Sequence, residues 1–360
     1  MPLGFFYGRV ARARRRWYGS RPWLRCRLQR PVISVGNITV GGTGKTPIVA
    51  HLASVLLAMG ERPAILSRGY ARLDPVDGVV LVSDGQRIRA DLRRAGDEPL
   101  MLARAVPGAI VAVAADRYLA GRLAEVRAGC TVHLLDDGFQ HFRLERDVDL
   151  LVVDPADLAD PRPLPAGRLR EPLEMTRLAD AVIVPAASIT EAEEMGRQLG
   201  VARAFRAVRS IDAPRLVEPA GRIVSPAAGT RVLAFAGVAR PSRFFAELKD
   251  AGWIVAGELA FPDHHRYTVR DLDRIVRAAR EARAVMLLTT EKDLMRLLAF
   301  RPIPMPLGWV PLRMSVEPAA GFRAWLGGRM AEARQRSREP STGNRDPRPG
   351  NREPTSAPSS

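Results

Sequence analysis

The feature that most constrains the fold is a glycine-rich loop between a predicted strand and a predicted helix. The loop reads SVGNITVGGTGKTP over residues 34–47, after the apolar run Val32–Val35 and before a helical stretch from about Thr46 to Met59. A phosphate-binding loop requires this context, because glycines let backbone amides approach phosphate oxygens at the start of a helix. The segment therefore predicts a nucleotide site at the carboxyl edge of a parallel sheet.

Within this loop, we expect Lys45 to supply a cation for the β- and γ-phosphates of a nucleotide, and Thr46 to supply a hydroxyl for Mg²⁺. The strict phosphate-loop pattern places glycine where Thr39 stands, so the upstream half of the loop is a variant. The alternative is a glycine-rich turn that holds no nucleotide. The residues predicted to bind the cofactor here are Gly41, Gly42, Thr43, Gly44, Lys45 and Thr46.

A second motif, LLDDGFQH, follows another predicted strand. Asp136 and Asp137 end that strand, where a carboxylate can contact Mg²⁺ as a Walker-B aspartate does. Adjacent residues of a strand point to opposite sides, so we expect at most one of the two to touch the metal directly. Gln140 and His141 follow on the adjoining loop. The alternative is a simple turn, since paired aspartates before glycine are common in turns.

Three further segments carry candidate residues. AGDEP places Asp97 at the start of a predicted helix, where an acidic residue alone is typical of an N-cap. FPDHH contributes His264, which is either part of a site or of a polar loop. LPAGRLREP contributes Arg170 and Glu171 in a proline-bounded loop that suits an anionic group or is merely solvated surface.

Short apolar runs alternate with helical stretches along most of the chain, which predicts an α/β protein. We expect a mostly parallel sheet of the phosphate-loop type over residues 31–222 and a second, smaller Rossmann-like α/β domain over 223–330. Residues 1–30 form a basic, aromatic segment. Residues 331–360 are rich in arginine, proline and serine and have almost no apolar residues, so we expect a disordered tail.

The net charge of +16 is concentrated at the N-terminus. Residues 1–30 hold nine arginines and no acidic residue, whereas residues 31–330 hold 40 basic and 35 acidic residues, a net charge of +5. Aromatic rings among arginines are typical of a segment that lies on a membrane surface. The alternatives are a helix packed on the protein itself or an arm that binds nucleic acid. The modest charge of the body disfavours nucleic acid as a partner.

Other classes of protein are excluded by composition. No apolar run reaches 18 residues, so we expect no transmembrane helix, and the N-terminus lacks the apolar core of a secretory signal. Two cysteines, Cys26 and Cys130, cannot build a disulfide framework or a four-cysteine metal site. These features fit an intracellular enzyme.

Together the motifs closely resemble the tetraacyldisaccharide 4'-kinase family. SVGNITVGGTGKTP, SRGY, GDEPLMLA, LLDDGFQH, LPAGRLREP, FAGVARPSRFF, FPDHH and TTEKD occur in the family's order over roughly residues 30–300. The variant phosphate loop is the family's own form. The resemblance implies ATP- and Mg²⁺-dependent phosphorylation of the 4'-hydroxyl of a tetraacylated glucosamine disaccharide 1-phosphate, giving lipid IV-A. It also implies a peripheral position on the cytoplasmic face of the inner membrane of a Gram-negative bacterium.

The resemblance also implies roles for single residues. Asp97 matches the family's catalytic base, and His264 matches its histidine partner. These two residues come from different predicted domains, so the pair forms only when the domains close. The other implied roles are contact with Mg²⁺–ATP for Asp136 and Asp137, proximity to the nucleotide for Gln140 and His141, and the functional Arg-Glu pair for Arg170 and Glu171.

A second hypothesis is a phosphate-loop NTPase that acts as a switch or assembly factor. Such a protein needs a surface that responds to nucleotide, and it has no use for an Asp–His pair bridging two domains. Whether ATP consumption requires an acylated disaccharide distinguishes the two hypotheses.

Overall fold

Two mainly parallel sheets form the frame of the molecule. The computed structural model describes residues 2–41, 44–69, 72, 74, 77–217, 221–225 and 230–338. The large sheet has nine strands and the small sheet five. The predicted α/β class, with a large phosphate-loop-type sheet and a second α/β unit, is confirmed.

The strands are β1 Val32–Gly36, β2 Pro63–Ser67, β3 Val80–Asp84, β4 Ile110–Val113, β5 Val132–Asp136, β6 Val148–Val152, β7 Ala181–Pro185, β8 Ala204–Ile211, β9 Arg215–Leu216, β10 Arg231–Ala236, β11 Ile254–Ala260, β12 Met286–Thr290, β13 Leu307–Val310 and β14 Leu312–Glu317. The α-helices are α1 Pro2–Gly19, α2 Lys45–Ala58, α3 Leu92–Ala95, α4 Asp97–Ala105, α5 Arg117–Ala128, α6 Ile189–Gln198, α7 Pro241–Asp250, α8 Val269–Glu281, α9 Glu291–Leu297 and α10 Ala319–Arg338. Short 3₁₀ helices lie at Pro22–Leu24, Pro155–Leu158, Leu173–Leu178 and Leu298–Phe300.

The large sheet has the strand order β14-β8-β7-β6-β1-β5-β2-β4-β3. All its pairings are parallel except those of the edge strands β14 and β3. Every residue of β1, β2 and β5 is buried, as expected for parallel strands covered by helices on both faces. Because these strands run the same way, the loops that follow β1, β5, β2 and β4 meet at one edge of the sheet.

The small sheet has the order β11-β10-β12-β13-β9, with parallel pairings except at β9. Helices α7 and α8 pack on β10 and β11, and α9 follows β12 directly. Helix α8 begins with a complete capping box formed by Thr268 and Asp271. Helix α9 contacts α4 of the large unit, which brings the carboxyl edge of the small sheet next to that of the large one.

The domain limits set from the sequence need correction. Strand β9 precedes residue 223 but belongs to the small sheet, while β14 and α10 follow the small sheet and return to the large one. The return is stabilised by the antiparallel pairing of β14 with β8 and by Phe322, whose ring packs edge-on against Phe205 at 4.9 Å. Neither contact has a local signature in the sequence.

The tail also begins later than expected. Helix α10 continues from the predicted boundary at residue 331 to Arg338, because Ala333 is buried and Arg334 pairs with Glu61 at 2.7 Å. The remaining tail, residues 339–360, lies outside the described residues. Of the predicted hinge over 218–229, only residues 221–225 are described.

Helix α1 packs against the large unit through its small residues. A side chain at Gly4 would meet Ala166, and one at Gly8 would meet Pro172, so the helix lies close to the loop that precedes the 3₁₀ helix Leu173–Leu178. Its opposite face carries exposed apolar rings, with Phe5 66% and Phe6 68% exposed. Among the residues the structure describes, none forms a helix long and apolar enough to cross a bilayer.

The packing of β1 against the following loop predicts a specific instability. In Gly36→Ala, the new Cβ would lie 2.4 Å from Cβ and 2.8 Å from the backbone nitrogen of Phe139. Phe139 is itself fully buried, so we expect a loss of roughly 1–3 kcal/mol. The control is Gly328→Ala, in the middle of α10 with open space around it, which should gain roughly 0.5–1 kcal/mol. Urea unfolding of both variants measures the difference, and equal midpoints would contradict the close approach.

Candidate active site

The predicted phosphate loop ends at the N-terminus of α2. Gly44 caps the helix with a φ of 79°, and Gly41 has a φ of 105°, conformations that glycine adopts without strain. Lys45 and Thr46 form the first turn of α2 and line a large cleft. The free amides of this helix start suit an anion. The remaining predicted residues of the loop, Gly42 and Thr43, lie outside the described residues.

A second loop lies alongside the first and positions two arginines. The amide of Val40 donates to the carbonyl of Arg168 at 2.9 Å, and the amide of Arg170 donates to the carbonyl of Ile38 at 2.6 Å. Arg168 also donates from Nη2 to the carbonyl of Val40 at 2.7 Å. The LPAGRLREP segment is therefore held against the phosphate loop by main-chain hydrogen bonds, which the sequence motif did not reveal.

Lys45 and Arg170 converge on Asp137. The Lys45 ammonium donates to Oδ1 of Asn37 at 2.7 Å and pairs with Oδ1 of Asp137 at 3.0 Å. Arg170 Nη1 donates to both carboxylate oxygens of Asp137, at 2.9 and 2.8 Å. Burial by itself would raise the pKa of Asp137, but the charges of Lys45 and Arg170 outweigh it and lower that pKa. A carboxylate thus lies between two cations at the floor of the cleft.

Asp136 has a different environment from its neighbour. It ends β5, is 5% exposed, and accepts a hydrogen bond from Ser67 Oγ at 3.4 Å. Burial, and then the charges of Glu98 and Asp137, raise the pKa of Asp136 to about 7. Glu98, Asp136 and Asp137 all line the cleft, so Asp136 lies close to two other carboxylates.

These residues fit a magnesium ion that is bound together with a nucleotide. Among the described residues, no cluster of three or more His, Cys, Asp or Glu side chains could hold a metal by itself. Mg²⁺ usually takes one or two carboxylates and completes its shell with waters and phosphate oxygens. The hydroxyl of Thr46 and a carboxylate of Asp136 or Asp137 supply such a partial set, and a divalent cation would offset the repulsion that Glu98 and Asp137 exert on Asp136.

Gln140 and His141 lie beside the same loop. Gln140 donates from Nε2 to the carbonyl of Asn37 at 2.9 Å, which ties the DDGFQH turn to the end of β1. His141 lines the cleft, and its buried Nε2 has no hydrogen-bond partner among the described residues. Burial, and then the charges of Arg117 and Arg146, lower the pKa of His141 to about 4. His141 is therefore neutral near pH 7.

Glu171 contacts the N-terminal helix rather than open solvent. It is 2% exposed and accepts hydrogen bonds from Arg15 Nε at 2.8 Å and Nη2 at 3.1 Å. The Arg15 guanidinium also lies over the ring of Phe139, 4.4 Å from its centroid. The ion pair therefore fixes α1 to the rim of the cleft. Sequence analysis treated Arg15 as one of many basic residues of the N-terminal segment and missed this role.

The structure brings Asp97 and His264 together. Asp97 is the first residue of α4, and His264 lies between β11 and α8 with a φ of 59°. Asp97 Oδ2 and His264 Nδ1 are 3.3 Å apart. The backbone amide of His264 donates to the carbonyl of Gly237, at the end of β10, at 3.2 Å. The expected pair between the two units is thus formed in this structure.

Two cations that sequence analysis did not assign surround this pair. Arg296 donates to Asp97 Oδ2 through Nε at 3.1 Å and also through Nη2, and its Nη2 lies 3.3 Å from His264 Nδ1. Lys292 Nζ lies 3.0 Å from His264 Nε2 and 3.1 Å from Glu98 Oε1. Burial by itself would raise the pKa of Asp97, but the hydrogen bond from His264 and the charge of Arg296 hold that pKa well below its usual range.

The phosphate loop and His264 line one cleft of about 1260 Å³. Its walls come from the carboxyl edges of both sheets and from one side of α1. The residues of the site that line it include Lys45, Thr46, Glu98, Asp136, Asp137, Gln140, His141, Arg170, Glu171, His264 and Lys292. Of the two cations that sequence analysis missed beside the pair, Lys292 had a signal in the sequence, because it is one of only three lysines in the chain and lies in the TTEKD motif. Arg296 had no such signal.

Comparison with known proteins agrees with this architecture. The family model for tetraacyldisaccharide-1-P 4'-kinase matches residues 1–331. A tetraacyldisaccharide 4'-kinase of Geobacter metallireducens is 42% identical over 81% of this chain and 86% of its own length, and one of Syntrophus aciditrophicus is 39% identical over 89% of each. The crystal structure of an "apo" form of LpxK from Aquifex aeolicus in complex with ATP is 30% identical, covers 91% of this chain and 98% of its own, and superposes with a TM-score of 0.73. Since the match extends from α1 into α10, the chain belongs to the tetraacyldisaccharide 4'-kinase family.

Proposed function

We propose that this protein transfers the γ-phosphate of ATP to the 4'-hydroxyl of a tetraacylated glucosamine disaccharide 1-phosphate, giving lipid IV-A in lipid A biosynthesis. The observation that carries this proposal is one cleft lined by both the Lys45 loop and His264, which lies 3.3 Å from Asp97. A nucleotide on the loop and an acceptor hydroxyl beside the pair would then face each other. The membership of the 4'-kinase family supports the identity of the acceptor.

The nucleotide occupies the loop from Gly41 to Thr46. Lys45 and Arg170 exchange part of their contact with Asp137 for phosphate oxygens, since cations at this position stabilise the charge of the transferred group. Thr46 and a carboxylate of Asp136 or Asp137 would hold the Mg²⁺ that accompanies ATP. When bound, the ion neutralises charge on the phosphates. Gln140 keeps the DDGFQH turn in place through its bond to the main chain.

The division of roles between Asp97 and His264 follows from their contacts. The ammonium of Lys292 can only donate, so Nε2 of neutral His264 accepts. Nδ1 then carries the proton towards Asp97, while Nη2 of Arg296, which also lies near Nδ1, donates to the carboxylate of Asp97 instead. The low pKa of Asp97 makes it a poor proton acceptor, which supports giving that role to His264 and the orienting role to Asp97. This reverses the assignment expected from the sequence.

In the transfer step, the 4'-oxygen forms a bond to the γ-phosphorus while the bond from that phosphorus to the bridging oxygen of ADP breaks. The hydroxyl proton passes to Nε2 of His264, and the imidazolium that forms is stabilised by Asp97. For the hydroxyl to reach Nε2, Lys292 has to move away, and Glu98 and Asp263 lie 3.1 and 3.7 Å from its ammonium to receive it.

The protein binds peripherally to the cytoplasmic face of the inner membrane through α1 and the following turn. Phe5, Phe6 and Trp23 are each about two-thirds exposed, a surface that solvent disfavours and a bilayer interface accepts. Other side chains of α1, among them Tyr7, Val10 and Arg14, line the cleft. A lipid acceptor can therefore enter the site along the helix without leaving the membrane.

A nucleotide-dependent switch or assembly factor is the less favoured function. The contact of Asp97 with His264 supports a proton acceptor in the cleft that the nucleotide loop also lines, which a switch does not need. In this alternative, ATP would be consumed without an acylated disaccharide.

The first prediction about function tests the phosphoryl transfer and the Asp97–His264 pair together. Purified protein with Mg²⁺–ATP should form a new phosphomonoester only when the tetraacyl disaccharide 1-phosphate is present. Asp97→Asn and His264→Gln should each lower kcat by roughly 100- to 10,000-fold while the Kd of ATP stays near the wild-type value. The matched control is His265→Gln, because His265 pairs with Asp271 at 3.2 Å instead. ATP hydrolysis that ignores the acceptor, or loss of ATP binding in either variant, would contradict the proposal.

The second prediction concerns pH. Because the ionised form of Asp97 is favoured in the folded protein, its contribution to stability is present above the usual carboxyl pKa of about 3.9 and is lost as the pH falls towards the lowered value. Arg296→Gln removes one cause of the low pKa, so this variant should lose less stability than the wild type as the pH falls below about 4, while Arg296→Lys should retain part of the wild-type loss. Urea unfolding from about pH 2 to 7 measures the free energy of unfolding at each pH, and the same pH dependence in the wild type and Arg296→Gln would refute a role of Arg296 in the ionisation of Asp97.

The third prediction concerns the membrane. Phe5→Ser combined with Phe6→Ser should weaken binding to phosphatidylglycerol vesicles by roughly tenfold or more, since burying each ring is worth about 1.5–3 kcal/mol. Point variants are preferable to deleting α1, which would leave the buried Glu171 without Arg15. Val126→Ser on α5, where Val126 is 69% exposed, is the control. Sedimentation with vesicles gives the bound fraction, and equal fractions for all three proteins would count against α1 as the anchor.

A further inference from the structure

Asp293 is a buried carboxylate in the first turn of α9, within the TTEKD segment. It accepts hydrogen bonds from the amide of Gly237 at 3.0 Å and from Oγ1 of Thr290 at 2.7 Å. It also accepts from Nη1 of Arg296 at 3.3 Å. Burying a carboxylate costs free energy unless charged or hydrogen-bonding partners compensate for the lost water. The position is therefore costly for a residue whose only task is to cap a helix.

Helix α8 shows what capping alone requires. Its N-cap is Thr268 with an aspartate three residues later, the same spacing as that of Thr290 and Asp293 at α9. Asp271 closes the capping box of α8 by accepting from the amide of Thr268 at 2.8 Å, and its side chain is 20% exposed. The carboxylate of Asp293 instead accepts from the amide of Gly237, directly after β10. Capping of α9 therefore does not account for the inward position of Asp293.

Gly237 connects this carboxylate to the backbone of His264. The amide of Gly237 donates to Asp293, and its carbonyl accepts from the amide of His264 at 3.2 Å. A Cβ at Gly237 would lie 3.0 Å from Oδ1 of Asp293 and 3.1 Å from Cβ of His265, so a larger residue would push these groups apart. The loop that carries His264 is thus held to Asp293 by hydrogen bonds through a single glycine.

Arg296 connects the same carboxylate to the other member of the pair. Its Nη1 donates to Asp293, while its Nε and Nη2 donate to Oδ2 of Asp97. Nη1 also donates to the carbonyl of Gly237 at 3.3 Å. A guanidinium is planar, so a contact that fixes one of its nitrogens also sets the direction of the bonds from the others. The two residues of the pair, which come from different sheets, are therefore both held by contacts of one carboxylate.

We propose that Asp293 is a positioning residue for the phosphoryl transfer. It aligns His264 through the backbone of Gly237, and it aligns Asp97 through the guanidinium of Arg296. The inference rests on the proposed function, in which His264 accepts the proton of the acceptor hydroxyl. Asp293 does not line the cleft, so it acts on the rate of transfer rather than on the binding of nucleotide or acceptor.

The test is the variant Asp293→Asn in the full chain. Gly237 and Arg296 donate to different oxygens of this side chain, and an amide has only one acceptor oxygen. We expect kcat to fall by roughly 10- to 100-fold, because a displacement of about 1 Å can lower a rate about 100-fold. The Kd of ATP and the KM of the acceptor should stay within about twofold of the wild-type values.

The matched control is Asp271→Asn, which removes the same charge from the corresponding position of α8. Asp271 contacts His265 at 3.2 Å rather than His264, so this variant should keep a kcat near the wild-type value. An equal loss of kcat in the control, or a main effect on the KM of the acceptor or the Kd of ATP, would overturn the inference.

A double-mutant cycle separates positioning from a general loss of stability. If Asp293 acts through His264, adding Asp293→Asn to His264→Gln should lower kcat by less than about twofold further. A purely structural change would lower kcat by the same factor in both backgrounds, and that outcome would also overturn the inference. Gly237→Ala, which displaces the same contact by less, should lower kcat by roughly three- to tenfold with the same non-additivity. This variant provides the test if Asp293→Asn does not fold.

A measurement on the ligand-free protein is independent of activity. The imidazole proton resonances of His264, assigned by comparison with His264→Gln, should shift in Asp293→Asn and stay in place in Asp271→Asn. Unchanged resonances of His264 in Asp293→Asn would argue against the inference. Absence of phosphoryl transfer by the wild type would contradict the proposed function, and the resonances would still report whether Asp293 holds His264 in position.

Discussion

The active centre depends on a charged contact between two helices that belong to different sheets. Asp97 begins α4 and Arg296 lies on α9, and each side chain is only 9% exposed. A buried ion is costly unless its partner is present, so separating these helices would leave the carboxylate of Asp97 without Arg296. The contact therefore keeps the two units together, with His264 and the Lys45 loop facing one cleft. Asp293, fully buried beside Arg296, connects the same contact to β10 through the amide of Gly237 at 3.0 Å.

Much of the frame could be predicted because its elements have local patterns. The apolar runs predicted the ends of strands such as β1 and β5 to within one or two residues. The glycine-rich loop before α2 indicated where a phosphate would bind. The motifs after β1 and β5 meet because parallel strands end at one edge, a consequence of topology that needs no side-chain detail. The pairing of Asp97 with His264 could not be predicted from local sequence patterns. It was expected from the family resemblance, and the structure gives its geometry.

What escaped prediction depends on contacts between distant parts of the chain. The return of β14 to the edge of the large sheet is an antiparallel pairing with β8 about a hundred residues earlier, and nothing in either strand specifies the partner. Arg15 and Arg296 each have a defined environment, but in a chain with 55 basic residues, only three of them lysines, no single arginine stands out. Burial distinguishes them, and burial is a property of the folded molecule.

The way α4 meets α9 has a consequence for inhibition. His264 and Asp97, the pair proposed to be catalytic, come from opposite sides of this contact, whereas the phosphate loop before α2 lies entirely on one side. A small molecule bound between the first turns of α4 and α9 would separate His264 from Asp97 and so inactivate the proposed proton acceptor. It would leave the phosphate loop intact. Because such a compound would not compete with ATP, the high ATP concentration of a living cell would not displace it.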